Sequence, residues 1–321
     1  MVALVQVDAS TLMNQQPINT GVHHVKVSAD RAGQRLDNFL LGCLNGVPRS
    51  VIYRLIRTGQ VRVNGGRAKP MTKLAAGDEV RIPPVAVRPA GPRPIPNEWV
   101  ERIRSRIIEQ NKDYVIIDKP AGLAIHGGSG LSFGLMDVAA RIDESWRPVH
   151  RLDRPTSGLL MLARNHQALV ALAKDLAQRR IEKRYLALLS GQLPEDRVTV
   201  DQPLKKIRDS SGQHRVIVAA DGQAAVSHFR VLERLAGHTY VEVQIETGRT
   251  HQIRAHAAAL GHAVAGDERY AEQAPPAGLK RMFLHAHFLR LAWPEERIFN
   301  APLPPELAQV LDALRTRSGD F

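Results

Sequence analysis

The chain has 321 residues, 44% of them hydrophobic and 24% charged, with a formal net charge of +12 at pH 7. That length accommodates one large domain or two with a core each, and the balance is that of an ordinary soluble globular protein. The single cysteine, Cys43, excludes an internal disulfide and a multi-cysteine metal cage, and no apolar run approaches the ~20 residues that span a bilayer, so a reducing cytoplasm is the expected compartment.

Residues 1–30, opening MVALVQVDASTLMNQQPINTG, lack a basic segment followed by a long apolar core and are expected to form a flexible tail rather than a signal peptide. The charge is unevenly placed. Residues 31–93 hold twelve Lys/Arg against three acids (Asp37, Asp78 and Glu79), a net of +9 out of the chain's +12. A short basic module joined to a nearly balanced body suggests a nucleic-acid grip attached to something else.

Within that module, Leu36, Phe39, Leu40 and Leu44 fall at helical spacing. Pro48 and Ser50 open a second helix with Val51, Ile52, Leu55 and Ile56 on its apolar side, and Gly59 ends it. Val61 and Val63 then alternate with polar residues before Asn64-Gly65, a tight-turn signal. The second helix displays Arg49, Arg54 and Arg57, and Arg62 follows on the strand. Two helices, the stretch GQVRVNG and then KLAAGDEV resemble an S4 RNA-binding domain over residues 31–82. The resemblance implies that these arginines grip the phosphates of structured RNA. Asp37, in the tripeptide Arg35-Leu36-Asp37, sits on the first helix and is assigned no chemistry.

Residues 83–97, PPVAVRPAGPRPIPN, hold six of the twenty prolines and are expected to be an extended linker. The rest, 98–321, starts with an expected helix at Glu98–Gln110 and a strand at Tyr114–Asp118. The glycines at 127, 128 and 130 lack the terminal Lys-Ser/Thr of a phosphate loop and indicate a backbone-permissive loop. Leu159–Ala163 has the pattern of a buried strand, and His166–Arg179 that of an amphipathic helix. Further strands are expected at Arg184–Leu189, Ala225–Leu232, Tyr240–Glu246 and Met282–Trp293, with helices after Thr250 and near Glu306–Arg317. Many strands with few helices between them indicate an α+β domain with a mixed, mostly antiparallel sheet.

The stretch HRLDRPTSG, residues 150–158, feeds the buried strand, and loops on a rigid sheet are where catalytic groups are commonly placed. Its acid, Asp153, stands near Arg151 and beside Arg154, whose charges favour the carboxylate. A carboxylate there is either a nucleophile or base, or one half of a structural ion pair. Of the thirteen histidines, His251 and His256 are five apart and share no helix face, and His285 and His287 have no third ligand at useful spacing, so no metal centre is expected.

HRLDRPTSGLLMLA resembles the signature of the RluA-type pseudouridine synthases. DKPAGLAIHGG, KRYLALLSG, TGRTHQIRAHAAALGHAVAGDERY and RMFLHAHFLRLAWP resemble the remaining family blocks in order, so that the likeness spans residues 113–293. The resemblance implies an isomerase that detaches uracil from C1′ of its ribose, turns it and rejoins it through C5, without water or cofactor. It assigns Asp153 as the catalytic carboxylate, Arg254 as its ion-pair partner holding it through two parallel bonds, Tyr185 as the residue against the base and Leu284 as the aliphatic residue beneath it. It also makes Arg151 the side chain that enters the stack when the nucleotide flips out. The S4-like module, the GVPRS helix start and the HGGSGLSFG loop narrow the likeness to members acting on 23S ribosomal RNA, the expected partner. No obligatory protein partner is evident, and a monomer is expected.

Overall fold

The computed structural model describes residues 21–44, 47–85, 95–127, 133–208 and 214–318. The tail as far as residue 20, linker residues 86–94, and Gly128 and Gly130 of the glycine loop lie outside them. The chain divides into two compact units, one up to residue 94 and one from Ile95.

The first unit contains β1 (His23–Lys26), α1 (Leu36–Cys43), α2 (Arg49–Arg57), β2 (Arg62–Val63) and β3 (Glu79–Ile82). Its sheet runs β1-β3-β2. This corrects the expected tail: His23–Lys26 pairs antiparallel with Glu79–Ile82, and Val25 and Val27 are buried in the core with Leu36, Phe39, Ile52 and Leu55. A four-residue strand with two histidines and one buried valine is too short and polar for periodicity to mark. The turn signal at Asn64-Gly65 is realised: both residues have positive φ, 49° and 77°, and Val63 and Gly66 exchange backbone hydrogen bonds of 3.0 and 2.9 Å.

The second unit contains α3 (Asn97–Arg104), β4 (Ile107–Gln110), β5 (Tyr114–Lys119), α4 (Leu135–Ala139), β6 (Arg147–Pro148), β7 (Ser157–Ala163), α5 (His166–Ala177) and β8 (Glu182–Ser190). It continues with β9 (Arg197–Asp201), β10 (Leu204–Arg208), β11 (His214–Val218), β12 (Val226–Leu235), β13 (His238–Ile245), α6 (Gln252–Ala259), β14 (Leu284–Leu291), β15 (Arg297–Asn300) and α7 (Pro305–Ser318). The main sheet runs β4-β5-β7-β14-β8-β13-β12-β9, with β15 on β14 and β6 on β7; β10 and β11 form a separate hairpin. Only β7 and β14 pair in parallel among the described strands, so the sheet is mixed and mostly antiparallel, as its strand-rich sequence indicates.

Alternation sorts the sheet's side chains onto two buried faces. Val115 and Ile117 of β5, Leu160 and Leu162 of β7, and Val241 and Val243 of β13 face one core with residues of α3, α4 and α6. Tyr114, Ile116, Leu159 and Met161 face the other way with Leu172 of α5, and Leu188 and Tyr240 face α7. Burial on both faces is why β5 and β7 are nearly continuous apolar runs. The helix expected at Glu98–Gln110 instead stops at Arg104, because Ile107–Gln110 pairs with β5.

Each unit has its own buried apolar cluster, drawn from residues 25–85 in the first unit and 100–314 in the second. Deleting residues 1–85 is therefore expected to leave a chain that unfolds in one cooperative thermal transition with an intact β-rich circular dichroism spectrum. A broad, non-cooperative melt would show that the larger unit depends on the smaller one.

Candidate active site

The second unit holds a cavity of about 460 Å³ whose lining includes Arg151, Asp153, Tyr185, Arg254 and Leu284. Asp153 and Arg254 are 101 residues apart and Leu284 is further on still, so the fold has brought together side chains that the sequence scatters. Arg49, Arg54 and Arg57 are exposed on α2 and Arg62 is half-buried on β2, all in the first unit.

Asp153 sits in the loop that enters β7, and the loop is held at several points. His150 Nε2 accepts a hydrogen bond of 3.0 Å from the Met161 N–H, which requires that nitrogen to be unprotonated. Burial, and to a lesser extent the nearby Lys183 charge, hold His150 down at about 3, so it stays neutral and keeps that bond. Leu152 is buried in the main core. Arg154 and Gly122 bond reciprocally, Gly122 N–H to the Arg154 carbonyl at 2.8 Å and Arg154 Nε to the Gly122 carbonyl at 3.1 Å. The DKPAG turn is thereby tied to the Asp153 loop. Behind it, Lys119 is fully buried and donates to the carbonyls of Pro120 and Leu123 at 2.9 and 2.8 Å. Burial pushes Lys119 down to about 7, against the opposing pull of the Asp153 charge.

The register of the central strands sets the remaining positions. Because β7 and β14 are parallel, with His285 opposite Ser157, the loop before β7 and the start of β14 emerge at one end of the sheet. Gly158 has φ +110°, and a Cβ there would stand 2.2 Å from the Ala286 carbonyl oxygen, so only glycine permits this approach. On the other side of β14, antiparallel β8 places Leu284 opposite Ala187 and Ala286 opposite Tyr185. Tyr185 is buried, and burial with the added effect of the Asp153 charge raises its pKa well above the ordinary phenol value. It is held as a neutral phenol.

Arg254 comes from α6, a helix whose first six residues, Gln252–Ala257, are all buried. Its polar side chains are matched with partners: Gln252 Nε2 donates to the Val226 carbonyl at 2.8 Å, and His256 lies 2.9 Å from Ser227 Oγ and 3.0 Å from the Gln202 carbonyl. The Arg254 guanidinium is shared. Nε and Nη2 donate to the two oxygens of Asp267 at 2.6 and 2.7 Å, and Nη1 donates to Asp153 Oδ2 at 3.0 Å. Its face lies over the Tyr270 ring, 5.1 Å from the centroid. Burial lowers the guanidinium pKa, but Asp267 and then Asp153 more than reverse this, and it stays fully charged.

This corrects the expected two-bond grip on Asp153. The fork goes to Asp267, whose side chain has no exposure and needs full pairing, and Asp153 receives one bond. Asp153 is 15% exposed, and its Oδ1 has no hydrogen bond among the described residues. The ion pair also comes from a distant arginine rather than from the neighbours in sequence: Arg151 is exposed, and Arg154 Nε reaches Gly122. His251 Nε2 stands 3.8 Å from Asp153 Oδ2, and burial pushes it down to about 4 despite that carboxylate.

Sequence reasoning missed Asp267, Tyr270, Lys119 and Lys183. Asp267 and Tyr270 lie in GDERY, at the end of the block that pointed to Arg254; the charged Asp-Glu-Arg run directly after the apolar AVAG was the available signal. Among the described residues no three His, Cys, Asp or Glu side chains are grouped so as to hold a metal ion. Likewise no helix is long and apolar enough to cross a membrane.

Comparison with known proteins gives a consistent picture. The sequence pattern of the RNA pseudouridylate synthase family matches residues 113–259, and that of the S4 domain matches residues 34–80. The chain is 42% identical over 315 residues to ribosomal large subunit pseudouridine synthase C of Pasteurella multocida, covering 94% of this chain and 97% of that protein. It is 42% identical over 306 residues to the Escherichia coli protein of the same name, covering 91% and 96%. Among solved structures, human RNA pseudouridylate synthase domain containing 1 aligns with a TM-score of 0.55 at 29% identity, over 67% of this chain and 96% of that one.

The shared guanidinium makes a stability prediction. Asp267→Asn leaves a buried arginine short of half its charge pairing and is expected to cost about 3–5 kcal/mol of unfolding free energy. Asp153→Asn keeps an acceptor oxygen beside Nη1 and is expected to cost well under half as much. Urea unfolding of both variants measures the difference, and equal losses would show that Asp267 does not anchor Arg254.

Proposed function

The chain belongs to the RNA pseudouridylate synthase family and is an RNA pseudouridine synthase, and we propose that it isomerises specific uridines of 23S ribosomal RNA with Asp153 as the catalytic carboxylate. The observation that carries the assignment is the convergence of Asp153, Arg254, Tyr185, Leu284 and Arg151 on one cavity.

The reaction breaks the C1′–N1 bond, turns the uracil and joins C1′ to C5, and the hydrogen of C5 leaves as a proton. Asp153 lines the cavity, and among the described residues Arg254 bonds only its Oδ2. Such a carboxylate acts at the ribose in one of two ways: it adds to C1′, as in retaining glycosidases, or it removes a proton from C2′. Both routes need one anionic oxygen near the sugar and no second acid. A single bond from Arg254 suits this role, because it fixes one oxygen and leaves the other available. Tyr185 and Leu284 form the wall against which the uracil lies, and a neutral phenol suits contact with a neutral base. Arg151, exposed at the mouth, fills the stack that the flipped nucleotide leaves.

Recognition is divided between the units. The exposed Arg49, Arg54 and Arg57 of α2, with Arg62, supply phosphate contacts to folded RNA, while residues 98–321 carry the chemistry. The proline-rich 83–97 stretch spans the join between them, with Val85 still in the first unit's core and α3 starting at Asn97.

Asp153→Asn is expected to abolish release of tritium from C5-labelled 23S RNA while RNA binding stays within about threefold of wild type. Asp37→Asn is expected to leave turnover near normal, since Asp37 is already saturated by Arg35, Tyr53 and the Asn38 N–H. Appreciable turnover by the Asp153 variant would sink the assignment, and release of free uracil would point to hydrolysis instead.

Removal of residues 1–85 is expected to weaken 23S RNA binding and to flatten its salt dependence by close to one unit of slope per lost phosphate contact. A salt titration of the full and shortened chains measures this. Coincident slopes would mean that the first unit is not the RNA grip.

A further inference from the structure

Lys183 lines the cavity and is 7% exposed, and its ammonium makes no ion pair or hydrogen bond among the described residues. The strand that carries it makes the placement deliberate in geometric terms. Along β8, Lys183 and Tyr185 alternate onto the cavity side and are both buried. Arg184 between them points the other way, paired with Glu182 and stacked on Phe288 at 4.5 Å. The other cations of this lining differ from it: Arg151 is exposed, Arg179 pairs with Glu246, Arg249 Nε donates to the Ala224 carbonyl at 3.0 Å, and Arg254 holds two carboxylates. Burial alone pushes Lys183 down to about 8. A largely desolvated ammonium without a counter-charge destabilises the protein by itself, so its presence asks for an anion that arrives from outside.

We propose that Lys183 is a substrate contact that binds a phosphate flanking the target uridine, an inference that rests on the RNA-modifying reading above. The position favours a phosphate over the reacting sugar. The ammonium lies by the loop that precedes α6: a Cβ added to Gly248 would stand 3.6 Å from Nζ. Gly248 is exposed in the loop that leads to α6, so the ammonium lies close to the rim. In a nucleotide the phosphates lie on the far side of the ribose from the base, several bonds from C1′. With the base against Tyr185 and C1′ at Asp153, a flanking phosphate falls toward the rim. Lysine suits it as a compact charge with three donors and no demand for planar geometry.

The test is a double cycle on a 23S RNA fragment that contains one uridine the wild-type protein converts. The fragment is made with ordinary phosphodiesters, and with a neutral methylphosphonate on the 5′ or on the 3′ side of that uridine. On ordinary RNA, Lys183→Met is expected to raise KM about tenfold, as for loss of a charge-assisted bond, and to change kcat less than about threefold. With methylphosphonate at one of the two positions, the same substitution is expected to change KM less than about twofold, which also identifies the phosphate. Lys183→Arg should recover part of the loss. Thermal melting of Lys183→Met should rise or stay level, because an unpaired buried charge has been removed.

A KM effect of equal size on all three RNAs, or a loss confined to kcat, would overturn the assignment in favour of a base, ribose or structural role. Where Lys183→Met melts far below wild type, Lys183→Gln runs the same cycle in a folded variant and is judged by the same KM pattern. Failure of the wild-type protein to form pseudouridine in the ordinary fragment would instead sink the reading on which the proposal rests.

Discussion

A guanidinium taken out of water must have its charge balanced and its N–H groups matched, and Arg254 meets both demands by dividing itself. Asp267, itself without exposure, takes the two-pronged bond, and Asp153 takes the remaining Nη1. The division decides what Asp153 is. It has one guanidinium bond, to Oδ2, and lines the cavity with no bond to its other oxygen among the described residues. The face of the same guanidinium rests on Tyr270, whose hydroxyl donates to the Val216 carbonyl at 3.0 Å. The buried helix α6, the GDERY turn and the β10–β11 hairpin are thus parts of one frame around a single cation.

The other half of the site depends on backbone closeness. β7 and β14 approach so tightly at Gly158 that no side chain fits, and their parallel pairing brings the Asp153 loop and Leu284 to one end of the sheet. The loop itself is held by a neutral histidine, a buried leucine and the reciprocal bonds between Arg154 and Gly122. Lys119, from the same turn as Gly122, spends its protons on two carbonyls. Such a loop is ordered by its neighbours rather than by regular secondary structure, and that is the condition for holding one oxygen in a fixed place.

The two Arg-Leu-Asp tripeptides show how far context governs a carboxylate. Asp37 has both oxygens occupied: Arg35 donates at 3.0 and 2.5 Å, and the Tyr53 hydroxyl donates at 2.7 Å. Burial raises its pKa, and these bonds more than reverse the effect, so it sits below the ordinary carboxylate value. It is a closed structural ion pair. Asp153 follows the same Arg-Leu pair but has one oxygen without a bond among the described residues, because its arginine arrives from another element and is already committed elsewhere.

The sequence alone determined the uneven charge, the two amphipathic helices and Asn-Gly turn of the first unit, the long strands of the second, and the stretches HRLDRPTSG and THQIR that hold Asp153 and Arg254. These are local patterns, set by alternation, helical spacing and turn chemistry within a few residues. Short polar strands such as β1, β4 and β9 escaped that reading, because a strand of four or five residues with one or two buried side chains is specified by its partner and not by its own period. Only the tertiary structure decided that the fork of Arg254 belongs to Asp267, that Lys183 lies buried beside the cavity without a carboxylate, and that Leu284 meets Asp153 at one end of the sheet. Those facts concern which side chains share a desolvated space, and pairing in such a space follows from burial and distance across the fold, which neighbouring letters do not encode.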